Sequence, residues 1–119
     1  ILTADGARGG GAWGKPAPWC DYFAPAGEGV LGIALMDHPA NVYHPTHWMV
    51  REYGLFAANP FGLRDFAGDK TGKGRCRIPR GQALTLRYRV VLHAGTPLQA
   101  GIAGQYEEYV DPPRVTVRP

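Results

Sequence analysis

Apolar positions along this chain recur mostly with a period of two. Alternation is clearest over residues 83–93, where Leu84, Leu86, Tyr88, Val90 and Leu92 interleave with Thr85, Arg87, Arg89, Val91 and His93. Successive side chains of a strand point to opposite faces, so this run predicts a half-buried strand with Arg87, Arg89 and His93 on its more polar side. Residues 19–23 and 30–37 are shorter β-prone runs separated by Pro25, Gly27 and Gly29, the pattern of a hairpin. Prolines and Asn41 break regularity over 38–45, and residues 47–53 resume as a strand that would place His47, Met49, Arg51 and Tyr53 on one face and Trp48 and Val50 on the other.

A run at 55–58 stops at the turn signal Asn59, Pro60. The glycine-rich stretch through Gly81 reads as a long loop with a short strand near 63–66. Leu98, Ile102, Tyr106 and Tyr109 or Val110 recur at helical spacing and predict one short amphipathic helix near the C-terminus, with residues 114–117 as a final strand. Residues 1–18, with Trp13 and Trp19 as the only large anchors, read as an irregular arm leading into a strand that needs upstream chain to pack against. The expectation is a mostly β chain, an antiparallel sheet or β-sandwich, forming a single domain over 1–119 that is the C-terminal part of a longer protein.

Composition narrows the functions this chain can serve. At 119 residues the chain can bury one core, and 45% hydrophobic content argues against disorder despite 17 glycines and 11 prolines. Net charge is +3 with the cations scattered, so no basic stripe suited to nucleic acid is read. The longest nearly uncharged apolar run, 30–36, is far below the roughly 20 residues of a membrane helix, so neither a membrane nor nucleic acid is an expected partner. Cys20 and Cys76 fit either a long-loop disulfide or two thiols, and no CxxC pair exists for a cysteine-only zinc site. The GxxxxGK[ST] order is absent around 68–74, which excludes a P-loop, and no cofactor is expected.

Candidate chemistry concentrates in DHPANVYHPTHWMVREYG, residues 37–54, which holds three of the four histidines. Histidine titrates near neutral pH and its neutral ring binds transition metals. His44 or His47 with Arg51 satisfies the needs of acid and base chemistry, a proton carrier and a cation for developing negative charge. Trp48 and Tyr53 offer stacking surface for a sugar, and Arg87 and Arg89 would meet anionic or polyhydroxylated ligands. Two other readings stay open. His38, His44 and His47 with Asp37 or Glu52 could ligate a metal, although His44 and His47 lack helical spacing. Histidines flanked by prolines can also cap turns through backbone hydrogen bonds.

Three blocks, WGKPAPWCDYFAP, GIALMDHPANVYHPTHWMVREYGLFAANPFG and LTLRYRVVLHAG, resemble successive signatures of an uncharacterised bacterial family labelled methane oxygenase PmoA. The resemblance spans nearly the whole chain and implies the C-terminal portion of a longer protein. It also implies a connection to carbohydrate metabolism, a form similar to the large sandwiches of sugar mutarotases, and a site lined by His38, His44, His47 and Arg51. Asn59 and Phe61 would set a turn and fill the core. The expected function is acid and base chemistry on a sugar or other small molecule, with a noncatalytic carbohydrate-binding module or a histidine-ligated metal enzyme as the alternatives.

Overall fold

The computed structural model describes residues 1–68 and 74–117, so the stretch of the expected long loop at 69–73 lies outside the described residues. Its centre is a hairpin of β2 (Trp19–Ala26) and β3 (Gly29–Asp37), in antiparallel register from Trp19 opposite Met36 to Ala26 opposite Gly29. A two-residue connection this tight needs positive φ, which Gly27 supplies at 61°. Pro25 is tolerated inside β2 because the short β1 (Leu2–Thr3) covers the other edge only at Asp21 and Cys20. On the far side of β3 lies β6 (Tyr88–Ala94), giving a four-stranded antiparallel sheet in the order β1-β2-β3-β6. A separate hairpin pairs β4 (His47–Val50) with β5 (Phe56–Asn59).

Alternation along β3 sends its two side-chain sets to different partners. One face of the sheet, with Trp19, Ala34 and Met36, is covered by α2 (Ile102–Val110) through Ile102, Tyr106 and Tyr109. The opposite face carries Cys20, Tyr22 and Leu35 and receives Trp48, Val50 and Phe56 from the small hairpin, together with Ala12 and Ala17. The molecule is thus mostly antiparallel strands with few helices, as the periodicity predicts.

Several elements depart from the pattern. The strand expected to reach Tyr53 ends at Val50, because the Arg51 N–H turns to Leu55 O at 2.9 Å and Gly54 closes the turn at φ 102°. The short strand expected near 63–66 is instead a helix, α1 (Leu63–Ala67), stopped by Gly68 in the left-handed region. The long alternating run pairs only from Tyr88 onward, and 83–87 form no ladder. Its covered face is also the reverse of the simple expectation: Val91 packs in the cluster under α2 and His93 is buried against Asp21, while Val90 and Leu92 are 59% and 76% exposed. Residues 114–117 form no strand, with Val115 and Val117 exposed. The N-terminal arm packs on its own chain through β1 and a 3₁₀ turn at Gly9–Ala12. No described helix is long and apolar enough to cross a membrane.

Candidate functional site

Where β3 ends, the chain must leave the sheet and return nine residues later as β4, and a buried carboxylate organises that return. Asp37 is fully buried. Its Oδ1 accepts from Asn41 Nδ2 at 2.7 Å, and its Oδ2 accepts from the Thr46 N–H at 2.8 Å. The same Oδ2 stands 2.7 Å from Nδ1 of His44. An ionised carboxylate can only accept, so this contact assigns the proton to Nδ1 and leaves the lone pair on Nε2. The His44 ring keeps 21% of its side-chain surface exposed, whereas Asp37 keeps none. A base held in one tautomer by a buried carboxylate is the pairing that nucleophilic and acid-base sites use.

Asn41 fixes the loop to β6 as well. Its Nδ2 donates to Arg87 O at 2.6 Å and its Oδ1 accepts from the Arg87 N–H at 2.7 Å, so one amide joins the carboxylate to the start of the edge strand. The backbone enters His44 through Tyr43, at φ 59°, and the His44–Pro45 bond is cis. Three tyrosines surround the group from the other side. Tyr106 donates to Asp37 O at 3.2 Å. Burial, followed by the charge of Asp37, raises the pKa values of Tyr88 and Tyr106 above the ordinary phenol range. Burial chiefly does the same to Tyr109, so all three stay protonated at neutral pH. The hydroxyls of Tyr88 and Thr46 are buried without an aligned hydrogen-bond partner.

The remaining sequence candidates separate. His38 accepts the Ala40 N–H on Nδ1 at 3.0 Å and sets its ring edge-on to Tyr109, which makes it a turn residue beside the site. His47 is 9% exposed, stacks on Phe66 at 5.9 Å and leaves Nδ1 unpartnered; burial lowers its pKa. Arg51 lies over the Trp13 ring at 3.9 Å. Trp48, expected to offer stacking surface, is sealed in the core with Nε1 bonded to Ala17 O at 2.9 Å, and presents nothing to a ligand. Tyr53 is 81% exposed on the turn between β4 and β5. Arg87 is exposed next to Asn41, and Arg89 lies over Tyr109 at 4.6 Å. The structure therefore brings together Asp37, His44, His38, Arg87 and Arg89, and places Trp48 apart from them in the core.

Among the described residues no three His, Cys, Asp or Glu side chains are grouped to hold a metal ion. Cys20 and Cys76 are both free; the first is buried, which pushes its pKa up to about 12, and the second is exposed. Two cavities flank other parts of the fold, an open groove of about 570 Å³ over Tyr22, Leu31, Ile33 and Leu92 and one of about 480 Å³ along 76–84. Sequence reading singled out Asp37 only as one of two carboxylate options and took Asn41 for a loop breaker. The i, i+4 spacing of Asp37 and Asn41 around a proline was the available signal. It placed the three tyrosines on a strand and a helix but not at the site, because β6 and α2 reach Asp37 only through the fold.

A family model described as a family of unknown function (DUF6807) matches residues 1–107. The match supports an uncharacterised family and carries no further label. No curated protein and no solved structure matches the chain.

Proposed function

The chain belongs to the DUF6807 family of unknown function, and we propose that it performs acid and base chemistry on a small polyhydroxylated ligand, with His44 as the proton carrier. The observation that carries this reading is the 2.7 Å contact between the fully buried Asp37 carboxylate and the partly exposed His44 ring. Asp37 orients the ring and stabilises the imidazolium that forms when Nε2 takes a proton. The Arg87 side chain, exposed just before β6 where Asn41 ties the backbone to the same loop, supplies positive charge beside the group. The sugar class rests on the resemblance of the 32–62 block to a family linked with carbohydrate metabolism. A noncatalytic binding module would use exposed rings such as Tyr53 and would have no use for a buried carboxylate behind a histidine.

The test combines a monosaccharide screen by ligand-observed NMR with measurement of anomer interconversion and of solvent deuterium uptake next to the carbonyl carbon. His44→Asn should lower the catalysed rate by about 10²- to 10⁴-fold while leaving ligand affinity within a few fold. Asp37→Asn should also lower the rate, because the ring loses the acceptor that holds the proton on Nδ1 and the lone pair on Nε2. Binding without catalysis, unchanged by His44→Asn, would establish the binding-module reading instead.

A further inference from the structure

A second aspartate and histidine meet on the α2 side of the sheet, and they come from strands that are not neighbours. Asp21 belongs to β2 and His93 to β6, with β3 between them. In the register, Asp21 lies opposite Ala34, and His93 lies opposite Gly32. A side chain can cross a neighbouring strand only where that strand presents almost nothing on the shared face. Gly32 and Ala34 provide that gap, and a Cβ built at Gly32 would collide with Nε2 and Cε1 of the His93 ring. His93 Nε2 thereby comes to 2.8 Å from Asp21 Oδ2, with side chains 5% and 0% exposed.

Despite that approach, both Asp21 oxygens and both His93 nitrogens lack an aligned hydrogen-bond partner. The 2.8 Å approach therefore joins the two groups without a satisfied network around them, and a buried ion that loses its partner is strongly destabilising. We infer that Asp21 and His93 form a proton-linked clasp that fastens the edge strand β6 to β2 across β3, and that raising the pH loosens this edge.

The charges that act on Asp21 are those of His93 and of the ammonium group at Ile1, both favouring its ionised form. Burial outweighs them and raises its pKa above the ordinary aspartate value. From α2 the facing groups are Tyr106 and Tyr109, both neutral, and Arg89 on β6 is spent over the Tyr109 ring. From β1 the contribution is Thr3, whose hydroxyl accepts the Ala7 N–H. A folded pKa above the unfolded one means that the folded chain holds a proton the unfolded chain has released. Stability from this group is therefore present at low pH and is lost as pH rises through the folded value.

The test is native-state hydrogen exchange of the β6 amides Val91 and His93, which the register turns toward β3, on the full chain, corrected for intrinsic rates, from about pH 4, where an unfolded aspartate deprotonates, upward to about pH 8. One retained proton makes the opening constant rise up to about tenfold per pH unit inside the window. Asp21→Asn, which cannot titrate, should flatten that dependence, and Gly32→Ala, which displaces the His93 ring without altering either ionisable group, should lower β6 protection below that of the wild type already at about pH 4. If a variant fails to fold, the wild-type profile decides. Protection in β6 that does not fall as the pH rises, that falls as steeply in Asp21→Asn, or that Gly32→Ala leaves unchanged at low pH would overturn the clasp.

Discussion

His44 and His47 are close in sequence and opposite in circumstance. His44 has a buried carboxylate behind Nδ1 and an exposed portion of ring, whereas His47 lies against Phe66 with no partner for Nδ1. The second environment penalises charge, and burial accordingly lowers the His47 pKa. An unfolded histidine takes up its proton as pH falls through about 6.5, and the folded ring resists until the pH is lower. In that interval the unfolded chain binds more protons, so stability is present above the unfolded value and is lost as the pH falls. His47→Phe keeps a ring against Phe66 and removes the titration. Its urea-derived stability relative to wild type should grow as pH drops below about 6.5, by at most about 1.4 kcal/mol per unit; a difference independent of pH would show that His47 is solvated when folded. Sequence could mark both histidines as candidates, since both sit among prolines and aromatics. It could not rank them, because the ranking comes from Asp37 and Phe66, which reach them only through the fold.

At the scale of elements, the β2–β3 hairpin was legible because β-prone runs and glycines at the turn agree with one another. The helix α1 was not. Its five residues are too few for periodicity, and what holds it is Phe66, whose ring fills a space left open by Gly14 and Gly62. Trp13 meets that ring edge-on at 5.5 Å and His47 stacks on it, so α1 joins the N-terminal arm to β4. Gly14 contributes twice: its φ of 68° is one that L side chains rarely adopt, and a Cβ there would lie 2.7 Å from Phe66 Cδ1. Gly14→Ala should cost about 1–3 kcal/mol in thermal or urea unfolding. A neutral result would mean that Phe66 does not occupy this position in solution. The covered side of β6 was misread for a related reason. Alternation separates two faces but does not say which will be covered, and here α2 lies over Val91, with the more polar His93 buried against Asp21.

The whole molecule is a slab, 51 × 47 × 22 Å, with a radius of gyration of 16.3 Å against about 13–14 Å for a compact chain of this length. A slab results when a sheet has one face covered and the other covered only in part. The small hairpin shields the sheet around Cys20, Tyr22 and Leu35, and beyond it Leu31, Ile33, Val90 and Leu92 are 58%, 43%, 59% and 76% exposed. The cross-strand register makes these residues neighbours, with Ile33 opposite Leu92 and Leu35 opposite Val90, so they form one apolar patch with β6 as its free edge. Patches of this kind bind apolar dyes and promote self-association. Because the side chains already face solvent, Leu92→Lys combined with Leu31→Thr should change unfolding stability by no more than about 0.5 kcal/mol. The same variant should lower 8-anilinonaphthalene-1-sulfonate fluorescence and reduce any concentration-dependent increase in sedimentation coefficient. A loss of about 2–5 kcal/mol, the cost of emptying a packed core position, would instead mean that this face is covered in solution.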